Sequence, residues 1–258
     1  MSVRLIVRTF SEICITVGTV IVLFVVYVLF WTGVKAQGAT DGEIVRLQEE
    51  WARQPVEPQA SGPAAAPSPD PAPTSSAPAS SAPASSSPAP ASSAKPYETG
   101  RPFAVMYIPR FGEGWDWPVL EGTAARTLKK GLGHYASTAR LGATGNFSVA
   151  GHRRTYGDPF KDFPRLRPGD PVIVNDGTTW FTYRIRNEPY RTVPGDVGVI
   201  DAVPAPLEKK AAGFDGPGRY LTLTTCDPEW GSSHRLVVWA HLDATQPVTD
   251  GKPEAFHS

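Results

Sequence analysis

Hydrophobic and polar positions along this chain fall into four regimes. Residues 13–31, ICITVGTVIVLFVVYVLFW, are apolar at nearly every position, the pattern of a helix that is apolar on all sides. Residues 41–53, DGEIVRLQEEWAR, place Ile44, Leu47 and Trp51 at i, i+3 and i+7, which predicts a short amphipathic helix beginning near Asp41. Residues 55–96 carry no periodicity at all. From Tyr97 onward the chain breaks into short runs: 103–108, 146–150, 172–174, 179–185, 220–225 and 236–239 read as strands, several alternating and most bounded by Gly or Pro. Helical signals in this part are limited to 123–130 and 207–212. The fold class predicted is mostly β: a closed barrel of about eight strands with few short helices, preceded by one transmembrane helix and a disordered linker.

Composition sharpens the division. At about 1.5 Å per residue, 19 helical residues span a hydrocarbon core of roughly 30 Å, so 13–31 is read as a membrane anchor. Arg4 and Arg8 precede it, while Tyr27 and Trp31 lie near its far end, which favours an N-terminus inside the cell and the remainder outside. The competing reading is a cleaved signal peptide, with Val34, Lys35 and Ala36 as the cleavage region. Residues 55–96 are dominated by Pro, Ala and Ser, too poor in apolar surface to fold, and are read as a disordered, extended tether. The expected organisation is a cytoplasmic tail at 1–12, the anchor at 13–31, a juxtamembrane stalk helix at 32–54, the linker at 55–96, a catalytic domain at 97–244 and a flexible tail at 245–258. Lys+Arg and Asp+Glu each number 25, so net charge points to neither nucleic acid nor a strongly acidic partner.

Cysteine placement then carries the chemistry. The chain has two cysteines, Cys14 in the apolar run and Cys226 far downstream, so an extracytoplasmic domain holds one unpaired thiol. Cys226 ends the predicted strand 220–225; a polar turn follows, and Arg235 opens the strand 236–239. Folding this hairpin sets a thiol beside a permanent cation. Such a cation favours the nucleophilic thiolate and can donate hydrogen bonds to an oxyanion. An imidazole partner is still needed. Of five histidines, His257 is terminal, His241 is read as structural, and His234 is a loop residue beside Arg235. His134 lies between Gly133 and Tyr135 before a loop. His152 ends the strand 146–150 and opens a loop with room to shape a pocket, which makes it the favoured acid–base. The alternative for Cys226 is an inert buried thiol, which its position at a strand end beside a loop argues against.

The motif TLTTC at 222–226, Arg235 nine residues later, and GHRRTYGDPF at 151–160 resemble the sortase family of Gram-positive cell-surface transpeptidases. The GLGHY stretch at 131–135, with Leu132 where relatives often have Pro, and the GHRxTYGxPF pattern resemble the class E, actinobacterial housekeeping, sortases in particular. The resemblance covers roughly 103–242. It implies that Cys226 attacks the Thr–Gly carbonyl of a C-terminal LAxTG or LPxTG sorting signal on a secreted protein. It also implies that Arg235 holds the substrate backbone and oxyanion, and that His152 protonates the leaving amine and accepts a proton from the incoming one. Thr225 is expected to orient substrate or Arg235, Tyr156 to bear on preference for Ala over Pro in the signal, and His134 to line the cleft. The implied acceptor is an amine of a peptidoglycan precursor of the lipid II type. No cofactor is expected, and no carboxylate cluster suggests a metal site.

Rival readings make different demands. An L,D-transpeptidase would carry His and Cys close together, and papain-like peptidases place Cys before His. A pilin-polymerising sortase would carry a lid upstream of the barrel, and a tethered binding domain would carry repeats or an exposed aromatic face. None of these patterns stands in the sequence.

Overall fold

Alternation along the strands decides which way each side chain faces, and eight strands use it to close a barrel. The computed structural model describes residues 3–53 and 96–257. The strands are β1 Pro102–Tyr107, β2 Asp116–Glu121, β3 Leu132–His134, β4 Gly145–Ala150, β5 Pro171–Asn175, β6 Thr179–Ile185, β7 Tyr190–Thr192, β8 Arg219–Asp227 and β9 His234–Pro247. Their order is β6-β5-β1-β2-β3-β4-β8-β9, and β9 returns to pair with β6 and shut the barrel. The 14-residue length of β9 makes this possible: residues 240–247 pair with β6, while 235–237 pair with the short β7 outside the closed ring.

The strands expected from alternation are present, with their ends moved by a residue or several. β2, β3 and β7 come in addition to them. β3 and β7 hold only three residues each, too few for a period to show, and β2 carries Pro118 in mid-strand. The expected helix at 123–130 shrinks to α2, Ala125–Leu128. The expected helix at 207–212 is absent. There the chain is pinned as turns, because buried Asp196 accepts from the Leu207 N–H (3.0 Å) and Ala212 packs with Val237 and Trp239.

Inside the barrel, Ala104, Met106 and Ile108 of the β1 region, Phe147 and Val149 of β4, Leu221 and Leu223 of β8, and Val238 and Ala240 of β9 form the main core. The outer face is also apolar in places, and those places are covered. Val237 and Trp239 lie under the segment between β7 and β8, and Val105, fully buried, lies under a helix.

That helix is α1, Val3–Arg53, one continuous element of 51 residues that takes in both the expected anchor and the expected stalk helix. Its Arg8–Tyr27 portion is long and apolar enough to cross a membrane, with mean hydropathy 2.2 and no burial. Its C-terminal portion is not a free stalk. Ile44 and Leu47 are buried against Val105, with Trp51 and Tyr107 packed around them. The i, i+3, i+7 stripe therefore buries on the barrel. The linker expected at 55–96 lies, apart from Pro96, outside the described residues.

The expected flexible tail at 245–258 is a correction. Thr245, Gln246 and Pro247 continue β9 against Phe181, Trp180 and Thr179. Two 3-10 turns, Val248–Asp250 and Glu254–His257, then bring Phe256 against Trp180 (5.6 Å between ring centroids) and Tyr107 (5.3 Å). The cause is that Ile173 and Trp180 point outward from β5 and β6 and need apolar cover.

Removing residues 248–258 uncovers this patch. The expected loss is about 1–2 kcal/mol, part of the value of a buried aromatic side chain, which lowers the melting temperature by roughly 2–8 °C. Thermal denaturation of the truncated chain against the full chain measures this, and an unchanged midpoint contradicts the packing role.

Candidate active site

β8 is the strand on which the site is built. Leu221 and Leu223 enter the core, while Thr222 faces outward, where its hydroxyl donates to Asn146 Oδ1 (2.8 Å). Alternation then sends Thr225 inward and Cys226 outward. Cys226 stands opposite Arg235 in the antiparallel β8–β9 ladder, so the two side chains leave the same face with Cβ atoms about 4.5–5.5 Å apart. Cys226 is partly exposed.

β4 delivers the histidine from the other side of β8. It runs parallel to β8 with Ala150 against Thr224, and the pairing carries on past the strand end. The Gly151 N–H donates to the Thr224 carbonyl (3.1 Å), and the Thr225 hydroxyl donates to the Gly151 carbonyl (2.9 Å). His152 is two residues beyond Ala150, as Cys226 is two beyond Thr224, and equal parity on neighbouring parallel strands puts both on the outer face. Gly151 is required for close approach: a Cβ there would come within 2.6 Å of Phe160 and 2.7 Å of Leu132. The structure thus assembles Cys226, Arg235 and His152 at one end of three adjacent strands.

His152 is half-buried, and its Nε2 is enclosed with no hydrogen-bond partner among the described residues. Burial, and then the charge of Lys129, hold its pKa below the ordinary histidine value of 6.5, so the neutral imidazole is favoured. Tyr156 lies beside it, with ring centroids 5.2 Å apart, and Lys129 Nζ stands 5.3 Å above the Tyr156 ring. The turn bearing Tyr156 has positive φ at Thr155 (88°), Tyr156 (52°), Gly157 (86°) and Asp158 (56°). For a non-glycine residue this conformation costs roughly 1–2 kcal/mol. Asp158 offsets part of that by accepting from the Thr155 N–H (2.5 Å) and from Arg154 (3.2 Å).

The cations near the thiol differ in how they are neutralised. Asp227 accepts from Arg153 (2.8 Å) and Arg191 (2.7 Å), and Arg154 pairs with Glu229 and Asp158. Arg235 has no carboxylate partner among the described residues; its Nη1 donates to the Ser232 and His234 carbonyls, both at 2.8 Å. Its charge therefore remains available to a substrate. Partial burial opposes ionisation of Asp227, but the hydrogen bonds from Arg191 and Arg153 outweigh it and lower the carboxyl pKa. This carboxylate links the residue after Cys226 to the residue after His152. Adjacency to each was visible in the sequence, but their pairing depends on β4 lying beside β8.

Two expected site residues are buried: His134, expected to line the cleft, and Thr225, expected to orient substrate or Arg235. His134 is 2% exposed inside the barrel and stacks on Phe147 (4.8 Å). Its Nδ1 meets Glu121 at 2.6 Å and its Nε2 meets the Thr138 hydroxyl and the Ala139 carbonyl, both at 3.1 Å. It braces the β2–β3 junction. Thr225 is 3% exposed, and its hydroxyl is spent on Gly151 rather than on Arg235 or a ligand; it positions the peptide that carries His152. Tyr156 is 41% exposed beside His152 and is free to meet a ligand. Among the described residues no cluster of His, Cys, Asp and Glu is disposed to hold a metal ion.

Comparison with known proteins agrees with this architecture. The pattern of the family described as Sortase domain matches residues 106–243, more than half of the chain. Over 97% of its length the chain is 35% identical to sortase SrtE1 of Streptomyces coelicolor, and it spans 61% of that relative's length. The structure is similar to that of sortase E from Streptomyces avermitilis, at 68% identity and TM-score 0.57, covering 62% of this chain and 99% of that one. It is likewise similar to sortase E1 of Streptomyces coelicolor with a tripeptide in the active site, at 39% identity and TM-score 0.54, covering 60% of this chain and 96% of that one.

Two outcomes are expected from the electrostatics. Lys129→Gln removes a charge that disfavours the imidazolium, so the His152 pKa moves upward, as followed by NMR titration of the ring proton; no movement contradicts the coupling. Asp227 has its pKa lowered, so it adds stability above the unfolded carboxyl value near 3.8 and loses it as pH falls through the folded value. Asp227→Asn therefore destabilises by on the order of 1 kcal/mol at pH 7, and urea titrations find the deficit shrinking once pH falls below about 4.

Proposed function

This chain belongs to the sortase family, in its class E, and from that premise we propose that it is a membrane-anchored cysteine transpeptidase. The observation that carries the reading is the placement of Cys226, Arg235 and His152 on one outer face by the two ladders of β8.

In this reaction an LAxTG or LPxTG signal at the C-terminus of a secreted protein lies extended across the outer face beside β8 and β9. His152 takes the proton of the Cys226 thiol as Sγ attacks the Thr carbonyl carbon, and the developing oxyanion and the neighbouring peptide groups accept hydrogen bonds from the Arg235 guanidinium. Collapse breaks the Thr–Gly C–N bond as His152 gives its proton to the departing amine, which leaves a thioester on Cys226. An amine of a peptidoglycan precursor then attacks the thioester. His152 takes the proton from that amine, and the new amide forms as the thiolate departs. Support comes from three sides. Arg235 is unpaired by carboxylate among the described residues. His152 presents an enclosed, unpartnered nitrogen. A similar sortase E1 holds a tripeptide in its active site. Tyr156, exposed beside His152, is the residue assigned to the second position of the signal, with Ala preferred over Pro. The Arg8–Tyr27 stretch supplies the anchor, with the catalytic domain outside the cell.

The full chain in detergent micelles, given LAETG and LPETG peptides with and without a short glycine-based amine, tests this by mass spectrometry. Cleavage between Thr and Gly and amine ligation are expected, with the Ala peptide turned over faster. Cys226→Ala is expected to abolish both products, and Arg235→Ala to lower kcat by about 10²–10³ as loss of an oxyanion donor does. Turnover that survives Cys226→Ala overturns the mechanism.

A further inference from the structure

The order in which α1 touches the barrel fixes which end of the barrel meets a membrane. Thr40 and Glu43 reach Lys130, through the Thr40 hydroxyl to the Lys130 carbonyl (3.5 Å) and Glu43 Oε1 to Lys130 Nζ (2.8 Å). Ile44 and Leu47 cover Val105 at mid-strand. Glu50 and Trp51 reach Arg101, before β1, and Gly177, in the β5–β6 turn, where a Cβ would lie 2.5 Å from the indole. Registers place these contacts along the barrel. Gly133 pairs with Ala150, so Lys130 lies beyond the strand end at the level of His152, and its neighbour Lys129 stands over Tyr156. Thr179 pairs with Pro247, at the opposite end of β9 from Arg235, so Gly177 is at the far end. Running outward along α1 from the apolar stretch, the catalytic end comes first and the far end last.

Distances along the helix set the catalytic end nearer the apolar stretch than the far end. Thr40 is 13 residues beyond Tyr27, about 20 Å at helical rise, and Trp51 is 24 beyond, about 36 Å. The headgroup layer occupies roughly 5–8 Å outside the hydrocarbon, which leaves about 12–15 Å between it and the level of Thr40. The loops that follow His152 and Cys226 carry exposed aromatic side chains. Among the described residues of the barrel, the exposed large hydrophobic side chains are Tyr156, Val193, Val197, Leu207 and Trp230. Tyr156 and Trp230 lie four residues past His152 and Cys226 respectively, and Val193 comes directly after the partner of Arg235 in β7. Trp230, 77% exposed, carries the Arg154 guanidinium 5.0 Å from its ring, a pairing of aromatic and cation suited to a headgroup layer.

We propose that α1 is a rigid strut that sets the barrel with its catalytic end facing the bilayer and the Trp230 rim against phospholipid headgroups. The inference rests on the reading of Arg8–Tyr27 as a membrane anchor. Cys226 then works at the lipid surface, on peptide and amine groups held there. The height of the domain is set by the docking of Ile44, Leu47 and Trp51, and the length of the Pro/Ala/Ser segment has no part in it.

The test uses the full chain in phosphatidylethanolamine–phosphatidylglycerol vesicles, with a protease site placed in the Pro/Ala/Ser segment. The uncut chain floats with the vesicles; failure to float overturns the anchor reading and is distinguishable from failure of the strut, which appears only after cutting. Once cut, most of the barrel is expected to float still, held by α1, and to be released in the Leu47→Asp, Trp51→Ala double variant. Release of the barrel from the unsubstituted chain, or retention in the double variant, overturns the strut. Orientation is read in a Cys14→Ser, Cys226→Ala background carrying a donor dye at Trp230→Cys or at Thr178→Cys, with an acceptor on lipid headgroups. Energy transfer several-fold greater from position 230 is expected; equal or lower transfer from 230 overturns the orientation.

Discussion

A single strand bonded correctly on both edges is what the rest of the site depends on. β8 pairs in parallel with β4 and antiparallel with β9, and side chains alternate with a period of two. Slipping β8 by one residue would send Cys226 inward and Thr225 outward and separate the thiol from both Arg235 and His152. Such a slip is opposed by everything buried on either face. Leu221 and Leu223 hold the inner side, and Thr222 holds the outer side by donating to Asn146. The core residues and Cys226 of β8 thus obey one register.

Polar groups around the site are arranged by what neutralises them. Asp227 gathers Arg153 and Arg191, and Glu229 and Asp158 gather Arg154, so three cations are committed to holding loops. Among the described residues Arg235 bonds carbonyls of its own hairpin, which satisfies donors without cancelling charge. Thr225 follows the same logic in reverse. Its hydroxyl is buried and committed to Gly151, so a polar residue beside the thiol acts on the peptide behind the histidine. Burial and Lys129 keep His152 on the neutral side, while its Nε2 stays unpartnered among the described residues.

The helix joins these local arrangements to the surroundings of the molecule. Its apolar stripe is short, only Ile44, Leu47 and Trp51, yet it lands on Val105, an outward strand residue that would otherwise be exposed. The ion pair from Glu43 to Lys130 and the fit of Trp51 on Gly177 fix both its direction and its rotation. A helix held at three levels along a barrel cannot swing as a stalk does.

What the sequence determined by itself is local chemistry: the apolar helix, the alternating strands, the Cys226–Arg235 pairing implied by a hairpin, and His152 as the imidazole at a strand end. These are legible because period and adjacency in the chain express them directly. Three-residue strands such as β3 and β7 were not legible, since they exist only through their partners. Nor was the fate of His134, whose Gly-flanked position looked open until Glu121 and Phe147 enclosed it, or of Thr225, whose facing depends on alternation within a ladder. The turn residues Glu254–His257 and the stripe on α1 read as loose ends because what they cover, Trp180 and Val105, is distant in sequence. Only the tertiary structure decides such matters, because burial is a property of two surfaces, and the second surface is supplied by a part of the chain that local pattern does not see.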